Sequence, residues 1–362
     1  MRVAIIHDWL NQVGGAESVL EVLKEIYPQA PIYTSIYWPK AMPLRYREWD
    51  IHASWLNNLP FIKKHHQPFL PLYPLAFEGF DLGGYDLVIS NKSAFCHGVI
   101  TSPETVHVCY CLTPTRFLWD YHNYARHESI GPVARALLTP FLYNLRLWDK
   151  AAADRVEHFL AISDTVQKRI QKFYRRQAVV IHPPVEVQRF QVQESQDDYF
   201  LIVSRLIPYK RIDLAVQAFN MLGLPLKIIG DGRDRPRLEA MANPNTEFLG
   251  RLPVQQVREY LSRCRAFIFP GEEDFGIAPL EAQAAGRPVI AYASGGALET
   301  VIEGATGLFF REQTAESLAE AVSLFDADAF DGAAIRRHAQ GFDKETFKSK
   351  LGAFVNEKLG LC

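Results

Sequence analysis

Short apolar runs alternate with amphipathic stretches throughout the second half of the chain, and this alternation restricts the fold more than any other feature. The runs predict strands at Tyr199–Val203, Leu226–Ile229, Thr246–Leu249, Ala266–Phe269 and Pro288–Tyr292. The stretches between them predict helices at Arg211–Met221, Arg235–Met241, Pro253–Ser262 and Pro279–Ala285. Strictly alternating strands and helices indicate a parallel sheet with right-handed crossovers, whose ligands bind beyond the carboxyl ends of the strands.

A similar but less regular pattern fills the first half. It predicts strands at Val3–His7, Pro31–Ser35, Tyr85–Ser90, Val106–Leu112 and Phe159–Ser163. Helices are predicted up to Tyr27, over Val133–Val156 with a kink at Pro140, and over Val166–Tyr174 after a cap at Asp164. His182-Pro183-Pro184-Val185 predicts an extended linker. The predicted fold class is α/β, with two Rossmann-like domains facing across a cleft, residues 1–183 and residues 184–341.

Composition excludes several classes of protein. The formal net charge of −2 gives no electrostatic argument for nucleic-acid binding. The five cysteines are an odd number without a Cys-x-x-Cys motif, which favours reduced thiols and a cytoplasmic location. The first apolar run is too short for a signal peptide, and no stretch reaches the length of a transmembrane helix. Dinucleotide-binding and Walker-type glycine motifs are missing, and Asp326-Ala327-Asp328 is interpreted as surface, so neither a metal nor a cofactor is predicted.

The stretch from Phe269 to Ala291 combines a strand end, a tight loop, a helix and the start of the next strand. Pro279 suits the first helical position, and Gly286 ends the helix. Unpaired backbone N–H groups at this helix N-terminus make an anion site just beyond the strand. The residues that supply them are Phe275, Gly276, Ile277 and Ala278. Glu273 in the loop can face a sugar, and Glu281 in the helix can accept hydrogen bonds from a ribose diol.

Two basic residues, Arg205 and Lys210, lie in the loop after the first strand of the second half. A nucleoside diphosphate gains negative charge as its bond to a sugar breaks, and cations or a metal must stabilise that charge. Arg offers a rigid fork of donors and Lys a point charge. Together the two side chains can replace a metal, and a solvated basic turn is the alternative interpretation.

Glycine-rich turns follow several other predicted strands. Gly14 and Gly15 lie at the first strand-to-helix turn, where paired glycines let a phosphate approach backbone N–H groups closely. Gly230 follows a strand of the second half, and Gly250-Arg251-Leu252 follows the next one. Each of these loops can line a pocket or serve only as a turn.

The Glu-x7-Glu pattern of Glu273 and Glu281, next to Phe275-Gly276 and the helix start, resembles the signature of the family-4 retaining glycosyltransferases of the GT-B fold. The resemblance implies that the first Glu lies against the donor sugar and that the second holds the nucleotide ribose. The family pattern Arg-x4-Lys matches Arg205 and Lys210, which then hold the leaving diphosphate. It further implies that the glycine-rich turns line the donor site and that residues 342–362 form a helix returning to the first domain.

The first domain is predicted to carry the acceptor and any general base. Many members of the resembled family have a histidine near Ser90, but the nearest one here is His97. Either His97 lies near the donor sugar as a catalytic residue or Ser93 occupies the family position. The alternative interpretation of His97 is a partly exposed helix residue. Arg116 and Trp119 suit an acceptor with sugar rings and a phosphate, although ordinary packing explains Trp119 equally well. Residues 55–80 interleave aromatic and basic residues with prolines, which fits either contact with a membrane surface or packing under a long loop.

The resemblance implies a metal-independent enzyme that moves a hexose, with retention, from UDP-glucose or GDP-mannose to a saccharide acceptor. The predicted setting is bacterial capsule, exopolysaccharide or O-antigen synthesis, with a saccharide or lipid-linked saccharide acceptor at the inner face of the membrane. Three other classes stay open. They are a sugar-nucleotide 2-epimerase of the same architecture, a glycosidase that pairs Glu272 or Asp274 with Glu281, and a non-catalytic sugar-binding module.

Overall fold

The computed structural model describes residues 1–120, 132–193 and 195–361, with residues 132–137 described by their backbone alone. The chain divides into two compact units. Unit 1 contains Met1–His182 and Phe347–Cys362, and unit 2 contains Pro183–Thr346. The predicted α/β fold with a parallel sheet in each half is confirmed.

Unit 1 is built on a seven-stranded sheet in the order β3-β2-β1-β4-β5-β6-β7, and all the neighbouring strands are parallel. Its strands are β1 (Val3–His7), β2 (Ile32–Thr34), β3 (Ile51–Ala53), β4 (Leu87–Lys92), β5 (Val106–Cys111), β6 (His158–Ala161) and β7 (Ala178–Val180). The short edge strand β3 carries no apolar alternation that predicts it. The central strands β1 and β4 are buried along their whole length, because a parallel sheet with helices on both faces leaves no solvated side.

Helices and short helical turns cover the sheet of unit 1. The helices are α1 (Gly15–Ile26), α2 (Tyr73–Glu78), α3 (Arg116–Trp119), α4 (Pro132–Asp154) and α5 (Asp164–Tyr174), and α13 (Lys344–Lys358) lies mostly in this unit. Helix α4 continues through Pro140. The predicted cap at Asp164 is wrong: the Oγ of Ser163 accepts the N–H of Val166 at 3.1 Å, and Asp164 is the first helical residue.

The last helix is fastened to unit 1 by its side chains. The ring of Phe347 lies 5.4 Å from that of Tyr110 in β5, edge to face. The Nζ of Lys348 lies 2.7 Å from the Oε2 of Glu25 in α1.

Among the described residues no helix has the length and apolarity that a membrane crossing needs.

Unit 2 is built on a six-stranded parallel sheet in the order β10-β9-β8-β11-β12-β13. Its strands are β8 (Phe200–Val203), β9 (Leu226–Ile229), β10 (Thr246–Gly250), β11 (Phe267–Phe269), β12 (Val289–Tyr292) and β13 (Gly307–Phe310). Its helices are α6 (Ile212–Leu222), α7 (Arg235–Met241), α8 (Val254–Arg263), α9 (Ile277–Ala284), α10 (Ala297–Thr300), α11 (Ala315–Ser323) and α12 (Gly332–Gln340). The strand order reverses beside β8, and this is the point where parallel sheets open a crevice for a ligand.

The thiols predicted to be reduced are buried. Cys96, Cys109, Cys111 and Cys264 are free and enclosed in the cores, whereas Cys362 lies outside the described residues. Burial raises the pKa of the Cys109 thiol well above its usual value, so the thiol stays protonated and inert. Cys109 and Cys111 are both buried in β5.

Candidate functional site

The loops at the carboxyl end of the unit 2 sheet touch one another through their backbones. The N–H of Gly296, after β12, donates to the carbonyl of Glu273, after β11, at 2.9 Å. Gly271 lies so close to the loop after β8 that an added Cβ would stand 2.8 Å from the carbonyl oxygen of Lys210. Only glycine allows this approach, and the loops after β8, β11 and β12 therefore form one continuous surface.

Lys210 and Glu273, two of the residues predicted to carry the chemistry, are in contact. Lys210 closes a short helical turn, Pro208–Lys210, and its Nζ forms an ion pair with the Oε1 of Glu273. The two side chains are 13% and 21% exposed, so the pair is open enough for a ligand to reach and dry enough for its charges to matter. The sequence motifs are far apart in the chain, and their contact is a product of the β8–β11 pairing.

The other predicted residues of unit 2 lie at or just beyond the carboxyl ends of the strands of the same sheet. Arg205 is exposed, and its Nη2 donates weakly to the hydroxyl of Tyr209 at 3.4 Å. The N–H of Gly230 donates to the carbonyl of Gly250 at 2.8 Å, which joins the loops after β9 and β10. Arg251 is exposed and Leu252 half-buried on that joined loop.

Helix α9 begins at the predicted place but not with the predicted residue. It starts at Ile277 after Gly276, whose φ of +98° is a conformation that glycine adopts without strain. Pro279 is therefore the third helical residue rather than the first. No acceptor among the described residues takes the backbone N–H groups of Gly276, Ile277 or Ala278. Phe275 is buried against Phe342 at 5.9 Å between ring centroids, which fixes the loop that leads into the helix.

Glu281 is a half-buried carboxylate on the second turn of α9. Burial raises its pKa to about 7; the positive charge of Arg258 lowers it and the negative charge of Glu186 raises it. No donor in the described part of the chain hydrogen-bonds to its side chain. An unsatisfied carboxylate of this kind is suited to accept hydrogen bonds from a ligand's hydroxyl groups.

The raised pKa predicts a pH-dependent stability. The carboxyl group binds its proton more tightly in the folded chain than its usual value of 4.5 allows, so its contribution to the free energy of unfolding is lost as pH rises through about 7. Between pH 5 and pH 8 the free energy of unfolding of the wild type should fall by roughly 1–2 kcal/mol relative to that of Glu281→Gln, after allowance for solvent screening. Denaturant unfolding at several pH values measures this. Glu320→Gln, which neutralises an exposed carboxylate on α11, is the matched control. Parallel pH profiles for wild type and Glu281→Gln would rule the effect out.

In unit 1 the predicted turn at Gly14 and Gly15 leads into α1, whose first turn is held by a network of buried polar side chains. Glu17, in the first turn of α1, accepts from the Nε2 of His7 at 3.2 Å, and both side chains are buried. The Nδ2 of Asn91 donates to the Nδ1 of His7 at 3.2 Å and to the carbonyl of Ala16 at 2.7 Å. These bonds hold the start of α1 against the ends of β1 and β4.

A buried aspartate, which the sequence motifs do not indicate, orders the loop after β4. Asp8 follows β1 directly and is 1% exposed. Its Oδ2 accepts the N–H groups of Ser93 and Ala94 at 2.6 and 2.7 Å and the hydroxyl of Ser93 at 3.0 Å. Its Oδ1 accepts the N–H groups of Phe95 and Cys96 at 2.7 and 2.8 Å. The one sequence feature that could have indicated Asp8 is an acidic residue at the carboxyl end of a predicted strand.

The structure does not support His97 as a catalytic residue. Its side chain is 0% exposed in the turn Cys96–Gly98, and its Nε2 lies 3.2 Å from the carbonyl of Asp149. Burial lowers the pKa of His97 well below its usual value, and the charge of Lys92 lowers it further, so the ring is neutral. The alternative interpretation of His97 as a partly exposed residue is also wrong. Ser93, the other candidate for the family position, donates its hydroxyl to the Oδ2 of Asp8.

Trp119 is part of the same packed region rather than a free platform. Its Nε1 donates to Asp149 at 2.7 Å, and its ring stacks on that of Phe173 at 5.0 Å. Asp149 also accepts the hydroxyls of Thr115 and Tyr174. Of the two interpretations, packing is the one that the contacts support, and Arg116 lies half-buried at the start of α3.

Within the described residues no group of three or more His, Cys, Asp or Glu side chains is arranged to hold a metal ion. Asp326 and Asp328 are exposed near the end of α11, as the interpretation of their motif as surface requires. The Oδ1 of Asp326 accepts the N–H of Asp328 at 3.1 Å and caps a short turn.

Residues 184–339 match the model of the family Glycosyl transferases group 1, so unit 2 is a domain of this kind. An uncharacterized glycosyltransferase of Methanocaldococcus jannaschii is 26% identical over 89% of this chain and 87% of its own length. A GDP-mannose-dependent mannosyltransferase of Corynebacterium glutamicum, which acts on a monoacylated phosphatidylinositol monomannoside, is 37% identical over 38% of this chain. That match spans 41% of the mannosyltransferase.

The fold has solved counterparts. The crystal structure of HepE from Anabaena in complex with UDP-glucose aligns with a TM-score of 0.74 over 99% of this chain and all of that one. The sequence identity is 18%, so the likeness shows a shared GT-B fold. None of these comparisons favours the sugar-nucleotide epimerase.

Proposed function

We propose that this chain, with its group 1 glycosyl transferase domain in a GT-B fold, is a retaining hexosyltransferase of the family-4 kind. It moves a sugar from a nucleoside diphosphate donor to a saccharide acceptor. The observation that carries the proposal is the contact of Lys210 with Glu273 beside the free N–H groups that lead into α9. This arrangement combines a cation, a helix N-terminus and a carboxylate within one set of strand-end loops.

The chemistry follows from how those groups meet a departing diphosphate. Lys210 and Arg205 take up the negative charge that develops on the leaving group, and the N–H groups of Gly276, Ile277 and Ala278 add fixed positive dipoles. Donor binding draws Lys210 toward the phosphates and leaves Glu273 to orient the sugar. The acceptor hydroxyl attacks on the face that the leaving group departs from, which retains the anomeric configuration.

Glu281 holds the ribose of the donor in this proposal. Only the ionised carboxylate accepts from both hydroxyls of a diol, so donor affinity rises with pH through about 7. The joined loop of Gly230, Gly250, Arg251 and Leu252 forms the wall beside the base.

The donor is UDP-glucose or, as the second candidate, GDP-mannose. Support for the first comes from the UDP-glucose bound to the structural counterpart, and for the second from the GDP-mannose dependence of the corynebacterial relative. A thermal-shift panel of nucleotide sugars separates them, because a ligand at 100 times its Kd stabilises by about 2.7 kcal/mol. If no nucleotide sugar raises the melting temperature, the proposal fails. Analysis of the anomeric configuration of the product tests retention.

The acceptor belongs to polysaccharide synthesis and is carried by a lipid at the inner face of the membrane. Trp55 and Leu75 support this placement, since 47% and 60% of their surfaces are exposed within residues 55–80. Other parts of the segment pack inside unit 1, among them Leu56, Tyr73 and Phe77. Co-sedimentation with vesicles tests the contact: Trp55→Ser with Leu75→Ser should bind less than wild type, and equal binding would refute it.

A further inference from the structure

A cavity of about 560 Å³ opens in unit 1. It is lined mainly by residues 57–64 and by Trp38. This volume lies within the range of small-molecule sites in proteins. Residues 57–64 belong to the segment 55–80, but the membrane contact proposed for that segment involves Trp55 and Leu75, which do not line the cavity.

The cavity lies where the first two strands of the sheet end. Beyond β1 and β2 the backbone continues to pair, with the N–H of Trp38 donating to the carbonyl of Leu10 at 2.8 Å. The Oδ1 of Asn57 accepts the N–H of Tyr37 at 3.1 Å, and the Nδ2 of Asn11 donates to the carbonyl of Lys63 at 3.0 Å. Both walls are therefore tied to the sheet, and the cavity is preformed.

The lining is positively charged. Lys63 is half-buried and Lys64 is exposed. Throughout the described ranges no carboxylate forms an ion pair with either ammonium group. Two uncompensated ammonium groups in one concave site match the charge of a phosphate group, which lysine binds as a point charge.

The remaining lining suits a sugar. Asn57 and Asn58 offer amide groups, and Trp38 offers an aromatic face. Phe61 stands at the cavity with 81% of its surface exposed and a φ of +61°, while its carbonyl accepts the N–H groups of Lys64 at 3.1 Å and His65 at 2.9 Å. A backbone conformation that a bulky side chain rarely adopts thus keeps a largely exposed aromatic ring in the lining of the cavity.

We propose that this cavity is the acceptor site and that it binds a saccharide bearing a phosphate or diphosphate, with the phosphate on Lys63 and Lys64 and the sugar between Trp38 and the two asparagines. The proposal rests on the transfer reaction proposed above and names the substrate class of its acceptor. A flat membrane surface would reach Phe61 but could not use the amide groups that line the cavity.

Calorimetric titration of the chain of residues 1–362 tests the site with two matched probes, glucose 1-phosphate and methyl glucoside. Wild type should bind the phosphorylated sugar at least tenfold more tightly. Lys63→Gln with Lys64→Gln should weaken that binding about 10- to 100-fold, because two charge-assisted contacts are lost. Lys168→Gln with Lys172→Gln removes the same charge from the exposed face of α5 and should change nothing.

Equal binding of the two probes, or unchanged binding in the Lys63/Lys64 double variant, would overturn the proposal. A separate titration with nucleotide sugars keeps the two proposals distinguishable, since donor binding should survive in the double variant.

Binding to vesicles of two compositions identifies the source of the phosphate. Binding only to vesicles that carry a glycosyl diphosphate lipid supports a lipid-linked acceptor. Lysine-dependent binding to anionic vesicles without saccharide would instead mark a lipid surface and refute the site.

Discussion

Lys210→Ala should lower the turnover of sugar transfer about 100- to 1,000-fold, the loss typical of removing one preorganised group that stabilises developing negative charge. The free energy of unfolding should fall by only about 1–2 kcal/mol, because the ion pair with Glu273 keeps contact with solvent. Release of nucleoside diphosphate measures the first quantity, and denaturant unfolding the second.

Lys227→Ala is the matched control for this experiment. Lys227 belongs to the same unit and also forms an ion pair, with the Oε2 of Glu247 at 2.8 Å, but it lies along strand β9 rather than at the strand ends. Its removal should leave turnover within about twofold of wild type. Near-normal turnover in a folded Lys210→Ala variant would show that the diphosphate is held elsewhere.

Asp8→Ala should be the most destabilising of the substitutions considered, at about 3–5 kcal/mol in the free energy of unfolding. The variant leaves the N–H groups of residues 93–96 without the buried carboxylate that accepts all four of them. Thermal or denaturant unfolding of the purified chain measures the loss. Asp8→Asn should be nearly as harmful, since the amide presents a donor to groups that are themselves donors.

Asp86→Ala is the comparison that isolates burial. Asp86 also accepts a backbone N–H, that of Arg2 at 2.6 Å, but its side chain is 55% exposed and water can replace it. The expected cost is within about 1 kcal/mol. If Asp8→Ala and Asp86→Ala destabilise equally, the hydrogen bonds of Asp8 do not order the loop after β4 as the structure indicates.

The strands of unit 2 could largely be predicted from local sequence. Leu226–Ile229 is a strand with the predicted bounds, because a short apolar run between turn residues has few alternatives once helices flank it. β3, β7 and β13 were missed; their few residues take strand form through pairing with β2, β6 and β12. The start of α9 was predicted to within two residues, and Gly276 rather than Pro279 determines it.

The sequence by itself also identified Lys210, Glu273 and Glu281 as candidates, since the residue types and spacings that bind a diphosphate and a ribose are local features. Only the tertiary structure decided which candidates meet and which are enclosed. The β8–β11 pairing brings Lys210 to Glu273 across 63 positions of the chain, whereas packing around Asp149 encloses His97. Burial depends on neighbours that are distant in sequence, and no local pattern carries that information.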